Sequence, residues 1–426
     1  MSEFKEIDVG AHLKLTSGFP FASSQFSNEG FPLIRIRDIL TSQTETCFNG
    51  AYPPGYLIKK GDILIGMDGD FHVVKWRGDD ALLNQRVLKV DIQNESALTL
   101  DYLFHWLGPF LQKVNDITAA TTVKHLSVKD LTKAKAKFPS VSAQKKIALV
   151  LNTIDTTIEK TEALITKYKQ IKSGLVHDLF TRGVLPNGQL RPPRNQSPEL
   201  YKNTEVGWIP KEWEVVCMVT LAEERGNSTT IGPFGSDLVA TDYRLEGVPV
   251  VFVRDIKESG FQWNSKTYVS NRKAQQLNAH MVRSGEILAT KMGLPPCVSC
   301  LYPDWMPNGI ITADVIRLSP DRRKVDPQWL AIAINQDRVM RQVAAITAGV
   351  TRPKVTLADF RSIKLAKPPL NEQQRASIRI KLLQEKLDKE QAYVVKLQNQ
   401  KNGLMQDLFT GKVPVQVDEP SSEVSA

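Results

Sequence analysis

Cys297 and Cys300 form a Cys-x-x-Cys pair, the spacing at which two thiolates can share a metal, with His280 upstream as a third donor. A closed zinc site takes four ligands, and no second pair stands at metal-site spacing, so the sequence nominates no metal centre. Transfer of a methyl group to an exocyclic amine would call for an Asp/Asn-Pro-Pro-aromatic motif. Tyr52-Pro53-Pro54-Gly55, Leu294-Pro295-Pro296-Cys297 and Lys367-Pro368-Pro369-Leu370 all lack it. A Gly-x4-Gly-Lys-Ser/Thr phosphate loop is missing as well. No catalytic residue is nominated, and the chemistry that remains is that of cations and hydrogen-bond donors. Lys133, Lys135 and Lys137 alternate at strand spacing and so share one face, which suits either a run of phosphates or charged protection of an edge strand. Arg35, Arg37 and Arg254 stand beside Asp38 or Asp255, a pattern that fits a structural ion pair as well as contact with a polyanion.

The chain that must position these groups has 426 residues, 42% hydrophobic and 24% charged, the composition of a globular protein of two to three domains. Its net charge of +9 suits a polyanionic partner. Four cysteines cannot build a disulfide framework, so a reducing compartment, the cytoplasm, is expected. The N-terminal residues lack a basic stretch followed by an apolar core, and no apolar run approaches the roughly 18 residues of a membrane span, so no membrane association is expected.

Self-comparison reveals a tandem repeat. Asp178-Leu179-Phe180-Thr181 returns 229 residues later as Asp407-Leu408-Phe409-Thr410. The same offset, without gaps, pairs Gly174-Leu175 with Gly403-Leu404, Gln144 with Gln373, Pro139 with Pro368, Asp130 with Asp359, and Ile117-Thr118-Ala119 with Ile346-Thr347-Ala348. Upstream the likeness needs gaps, yet Pro32 to Ile39 matches Pro249 to Ile256, and Gly61-Asp62-Ile63-Leu64 matches Gly285-Glu286-Ile287-Leu288. Each half is a variable front followed by a better-preserved back.

In the first back segment, Ile147, Leu151, Ile154, Ile158, Thr161, Ile165, Tyr168, Lys172, Leu175 and Leu179 follow the alternating four-three spacing of a coiled-coil seam. The offset carries this seam onto Ala376, Ile380, Leu383, Leu387, Glu390, Val394, Leu397, Lys401, Leu404 and Leu408. Its polar breaks recur at the same heights, Thr161 with Glu390 and Lys172 with Lys401. Each helix spans about 48 Å at about 1.5 Å per residue, longer than a small domain can cover. The two are therefore expected to pack on each other, antiparallel if a pseudo-two-fold relates the copies.

The fronts read as mixed structure. Short strands are expected near 33 to 36, 62 to 66, 86 to 90 and 250 to 253, and helices near 101 to 114 and 328 to 343. Phe19, Phe21, Trp76, Trp208 and Trp213 read as core aromatics. Residues 182–205 collect Pro186, Pro192, Pro193 and Pro198 with Gly183 and Gly188 and read as a linker, and the polar tail after Thr410 as frayed.

This layout resembles the DNA-specificity (S) subunit of bacterial type I restriction-modification systems. The strings that carry the resemblance are Ser17-Gly18-Phe19-Pro20-Phe21, Pro32 to Ile39, Gly61 to Gly69, Leu83-Asn84-Gln85-Arg86-Val87, Gly207-Trp208-Ile209-Pro210 with Trp213, and the Gly-Leu then Asp-Leu-Phe-Thr close of each helix. Pro368-Pro369-Leu370-Asn371-Glu372-Gln373 matches the family's entry into a helix, whereas Phe138 to Gln144 matches it in part. In the second half Asn308 to Asp314 stands where the first has its Asn-Gln-Arg-Val string. The expected fold is α+β: two globular mixed α/β target-recognition domains joined by two long antiparallel coiled-coil helices with a pseudo-two-fold repeat. The expected division is 1–140 for the first recognition domain, 141–181 for the first helix and 182–205 for the linker. The second recognition domain is expected over 206–369, the second helix over 370–411 and a flexible tail over 412–426.

The resemblance implies a non-catalytic subunit whose two domains each read one half of a bipartite, asymmetric site on double-stranded DNA, while the helices set the spacer. It implies two adenine methyltransferase subunits and two restriction/translocase subunits as partners, with S-adenosylmethionine, ATP and Mg on those partners and no cofactor in this chain. Base reading needs Arg or Lys toward guanine and Asn or Gln toward adenine, with further cations on phosphates. The candidates in the first half are Lys75, Arg77, Asn84, Gln85, Arg86, Lys124 and His125, and in the second Lys266, Lys291, Arg352 and Lys354. The alternative is an enzyme, a stand-alone methyltransferase or nuclease with embedded recognition domains.

Overall fold

The two halves of the sequence, which share few residues over their fronts, build the same three sheets twice. The computed structural model describes residues 4–93, 95–118, 123–347 and 353–416. Its contacts divide the chain into unit 1, residues 1–164 with 390–426, and unit 2, residues 165–389.

In unit 1 an antiparallel four-stranded sheet has the order Leu13–Ser17, Val87–Ile92, Ile63–Gly66, Val73–Lys75. A second sheet of five short strands runs Phe26–Ser27, Cys47–Phe48, Phe31–Ile34, Ala81–Leu83, Leu57–Ile58, with Phe31–Ile34 and Ala81–Leu83 parallel. Lys5–Asp8 pairs with Lys135–Phe138 in a third.

Unit 2 repeats each sheet in the same order. Its four strands are Thr229–Ile231, Val315–Leu318, Ile287–Thr290 and Ser299–Leu301. Its five are Tyr243–Arg244, Tyr268–Val269, Val248–Val251, Gly309–Ile311 and Met281–Val282, again with one parallel pair, Val248–Val251 beside Gly309–Ile311. Its pair is Glu214–Cys217 with Lys364–Lys367. Central strands such as Ile63–Gly66 and Ile287–Thr290 are buried at every residue, so they read as continuous apolar runs rather than alternating ones.

Helices cover these sheets, and their ends follow local chemistry. Val128–Thr132 and Leu357–Ser362 each begin with a capping box, Ser127 with Asp130 and Thr356 with Asp359, so the matched acids satisfy equivalent orphan N–H groups. Leu100–Ile117 is one helix. The helix expected near 328 to 343 is instead two, Pro327–Ile334 and Asp337–Ile346. Asn335 ends the first, its amide donating to the carbonyls of Ala331 and Ser299 while its oxygen accepts from Ser299 N at 2.9 Å. Lys133 caps the short helix rather than joining the strand, so only Lys135 and Lys137 of the alternating trio share the strand Lys135–Phe138, opposite Asp8 and Glu6.

The back segments form single helices, Val141–Thr181 and Leu370–Phe409. Each opens on a fully buried glutamine at matched positions. Gln144 accepts from Thr99 N and donates to the carbonyls of Ala97 and Pro139. Gln373 accepts from Asp326 N and donates to Pro368 O. All twenty seam positions are buried or half-buried.

Within unit 1, Ile147 and Leu151 of the first helix share a core with Leu404 and Leu408 of the second, and Lys401 Nζ meets Asp155 Oδ1 at 2.6 Å. Within unit 2, Leu175 and Leu179 share a core with Ala376 and Ile380, Lys172 reaches Gln384, and Lys386 lies over the Tyr168 ring. In both units rising numbers on one helix meet falling numbers on the other, so the segments run antiparallel. The two seam lysines thus bond across to the opposing helix instead of disrupting it. The repeated Asp-Leu-Phe-Thr also gains a reason: Phe180 stacks on Trp329 in the core of unit 2, and Phe409 meets Tyr102 edge-on in unit 1.

Residues 182–205 are held by packing. Val184 is fully buried, and Arg191, also buried, forms a two-pronged ion pair with Glu372 in the first turn of the second long helix. Burial alone would lower the Arg191 pKa, and Glu372 more than offsets this, leaving it above its ordinary value. Of the tail, Val415 packs on the unit 1 core. No helix among the described residues is long and apolar enough to cross a membrane.

Candidate nucleic-acid interface

Most of the nominated residues of the first half converge on one corner of unit 1, where three segments meet. The first leaves strand Ile63–Gly66 as Met67-Asp68-Gly69, the second joins Ala81–Leu83 to Val87–Ile92 as Asn84-Gln85-Arg86, and the third is Lys124-His125-Leu126. Main-chain hydrogen bonds hold them together: Met67 N to Arg86 O at 2.9 Å, Leu126 N to Met67 O at 2.7 Å, Gly69 N to Lys124 O at 3.0 Å, and Asn84 N to Ile34 O at 3.3 Å.

Unit 2 contains the same frame. Lys291 N donates to Asp314 O at 2.7 Å, Val355 N to Lys291 O at 3.0 Å, Gly293 N to Pro353 O at 3.2 Å, and Thr312 N to Val251 O at 3.0 Å. The bridge Asp68 to His125 has its counterpart in Met292 to Lys354. A glycine closes each frame. A Cβ on Gly18 would lie 1.9 Å from Asn84 O, and one on Gly232 2.2 Å from the carbonyl carbon of Thr312, so no side chain fits at either place.

On this shared backbone the side chains differ. In unit 1 Asp68 Oδ1 binds His125 Nδ1 at 2.6 Å and Arg86 Nη1 at 3.4 Å, with the His125 and Arg86 side chains about half exposed. Arg86 holds a left-handed φ of 73°, which few non-glycine residues adopt. Gln85 is exposed, whereas Asn84 is buried and its oxygen accepts from Gln85 N. Lys124 turns back onto Asn115 at the end of helix Leu100–Ile117. In unit 2 Asp314 stands in the place of Arg86, Met292 in that of Asp68 and Lys354 in that of His125. Lys291 lies 4.8 Å from the centroid of the Phe234 ring, and Lys354 is exposed. A cleft of about 430 Å³ beside this corner is lined by Phe252, Arg254 and Thr312 to Asp314.

The structure holds the other candidates apart from the corner. Lys75 Nζ binds Asp101 Oδ1 at 2.7 Å over the Phe104 ring, in a polar chain that continues through Asn152 to the buried His105. Burial would raise the Asp101 pKa, but Lys75 and Asn152 leave it below its ordinary value, and burial holds that of His105 down. Arg77 pairs with Glu159 on the first long helix. Lys266 precedes strand Tyr268–Val269 with a φ of 44°. Arg352 lies outside the described residues.

Arg37 pairs with Asp38 at 3.6 Å, and Arg254 donates to Ser265 Oγ, which in turn donates to Asp255. Cys297 and Cys300 belong to different cores, each thiol pushed up to about 12 by burial. Phe21, Trp76 and Trp213 are core residues, whereas Trp208 is 42% exposed beneath Arg194. Residue chemistry passes over Asp68, Met292 and Asp314, since a carboxylate repels phosphate and a thioether offers no strong donor. The sequence signal for two of them is position: Asp68 lies inside a string that carries the resemblance, and Asp314 ends the segment that stands in place of the Asn-Gln-Arg-Val string of the first half.

Two copies of one mixed α/β frame, each sharing a unit with paired segments of two long helices, define a class of protein with an internally duplicated fold. Residues 2–170 match the family described as "Type I restriction modification DNA specificity domain". The chain is 28% identical over 384 residues to the type I restriction enzyme EcoBI specificity subunit of Escherichia coli, covering 88% of this chain and 78% of that protein. It is 21% identical over 369 residues to the MjaVIII specificity subunit of Methanocaldococcus jannaschii, covering 84% and 80%. Among solved structures it resembles the S subunit of the type I restriction-modification system of M. genitalium, with a TM-score of 0.58 at 14% identity over 95% of this chain and 96% of that one. A structure described as showing complex assembly and conformational transition of the type I R-M system matches with a TM-score of 0.52 at 13% identity over 96% and 98%. Along most of its length the chain is similar to type I restriction-modification specificity subunits, in agreement with the resemblance read from its sequence.

Proposed function

We propose that this chain is the non-catalytic, sequence-reading subunit of a type I restriction-modification complex. Each mixed α/β head reads one half of a bipartite DNA site, the first head over residues 1–140 and the second over 206–369. The helices 141–181 and 370–411 fix the spacer and dock two adenine methyltransferase subunits. The S-adenosylmethionine and the methyl transfer belong to those partners, as do ATP and Mg to two restriction/translocase subunits, and the complex works in the cytoplasm. The observation that carries this reading is the duplicated backbone frame with unlike side chains at the same corner, as two readers of unlike half-sites require. Base reading at that corner falls to Arg86 and Gln85 in the first head, with His125 holding the Asp68 carboxylate that braces Arg86, and to Lys291 and Lys354 in the second. The main role of Lys75, Arg77 and Lys124 is to hold the head together.

The test combines the chain with an adenine methyltransferase partner, DNA and a labelled methyl donor. Sequence-selective, salt-dependent binding and methylation are expected from the mixture and from neither protein alone. Robust methylation by the purified chain alone overturns the reading in favour of an enzyme with embedded recognition domains.

A further inference from the structure

The hydrogen bonds that match between the two corners run between main-chain N–H and C=O groups, so they persist although the side chains presented there differ. At one place in it the two heads carry opposite chemistry, Arg86 in the first and Asp314 in the second. Arg86 is exposed, holds a left-handed backbone, and donates from a single nitrogen, Nη1, to Asp68. Its other guanidinium nitrogen atoms make no hydrogen bond among the described residues. Asp68 in turn is fixed by its 2.6 Å bond to His125. A planar fork with one side anchored and the other half-exposed suits two acceptors lying side by side, the arrangement that guanine N7 and O6 present in the major groove. A carboxylate in the same place can only accept, and the base edge that offers a donor without a neighbouring acceptor is the exocyclic amine of cytosine.

Resting on the function proposed above, we infer that residues 86 and 314 are equivalent base-reading positions. Arg86 selects a guanine in the half-site of the first head, and Asp314 selects a cytosine in that of the second. Asp68 and His125 are positioning residues for Arg86, and Met292, which cannot bond, leaves Asp314 without that brace.

The experiment reads the methylated motif by methylome sequencing of the assembled complex carrying wild-type chain, Arg86→Ala, Arg86→Lys or Asp314→Asn. Arg86→Ala relaxes one guanine in one half-site, with discrimination falling about 10- to 100-fold, and leaves the other half-site unchanged. Arg86→Lys keeps the charge and loses the fork, so it relaxes the same position while non-specific affinity at low salt holds. Asp314→Asn relaxes a cytosine in the opposite half-site only. An unchanged motif for both Arg86 variants, with affinity falling alike on every sequence and the salt slope dropping by about one, assigns Arg86 to a phosphate and overturns the inference. A wild-type complex that methylates without sequence preference would instead defeat the underlying function, and is distinguished because it needs no variant.

Discussion

Glu372 shows how much a single residue does here. It lies in the first turn of the second long helix, buried, and its carboxylate accepts from both terminal nitrogens of Arg191 and from Val184 N at 2.8 Å. The matched position in the first half is Ala143, so this clasp exists once. Glu372→Ala strands a buried guanidinium, and urea unfolding of the full chain is expected to show a loss of about 3–5 kcal/mol. Arg191→Met with Glu372→Leu removes both charges and is expected to recover most of it, since a buried pair is worth little against apolar groups of similar volume. A loss below about 1 kcal/mol for Glu372→Ala would contradict the assignment. Gly183 admits no other residue beside this pair: its φ is +69°, and a Cβ would fall 1.9 Å from Glu372 Oε1. The sequence presents Glu372 as part of a helix-entry run and Arg191 as part of a proline-rich linker. Partners 181 positions apart with no period between them leave no trace in a linear pattern.

At the scale of elements, the long helices are the most legible part of the chain. Their seam repeats every three or four residues, and a face-selecting period survives in sequence because each position has one environment. The strands of the heads are legible only in part. Most have two to four residues, and the central ones are buried on both faces, so alternation is lost; two matched strings reveal the kinship of some strands, and the equal order of the sheets that of the rest. The corner was within reach for Arg86, His125 and Lys354, whose donors announce themselves. It was out of reach for Asp314, whose role depends on hydrogen bonds from segments far away in sequence.

The helices also yield a prediction of their own. Removing one heptad from each shortens the pair by about 10 Å. The recognised spacer is expected to shrink by about three base pairs at about 3.4 Å each, with both half-sites intact. Binding to an array of duplexes of varied spacer measures this, and an unchanged preference contradicts a ruler role.

For the whole molecule, the two units carry the same sheets and the same corner on sequences that differ almost everywhere between them. Exchange of residues 1–140 for the first front of a relative with another target is therefore expected to alter one half of the methylated motif and spare the other. Sequencing of methylated DNA from cells bearing the hybrid reads the outcome, and change in both halves would mean the fronts do not act independently. The hydrogen bonds shared by the two corners run between peptide groups. On the proposed reading, a change at an exposed corner position such as Arg86 or Lys354 leaves those hydrogen bonds in place and alters the half-site that is read, so a new target lies one codon away from an old one.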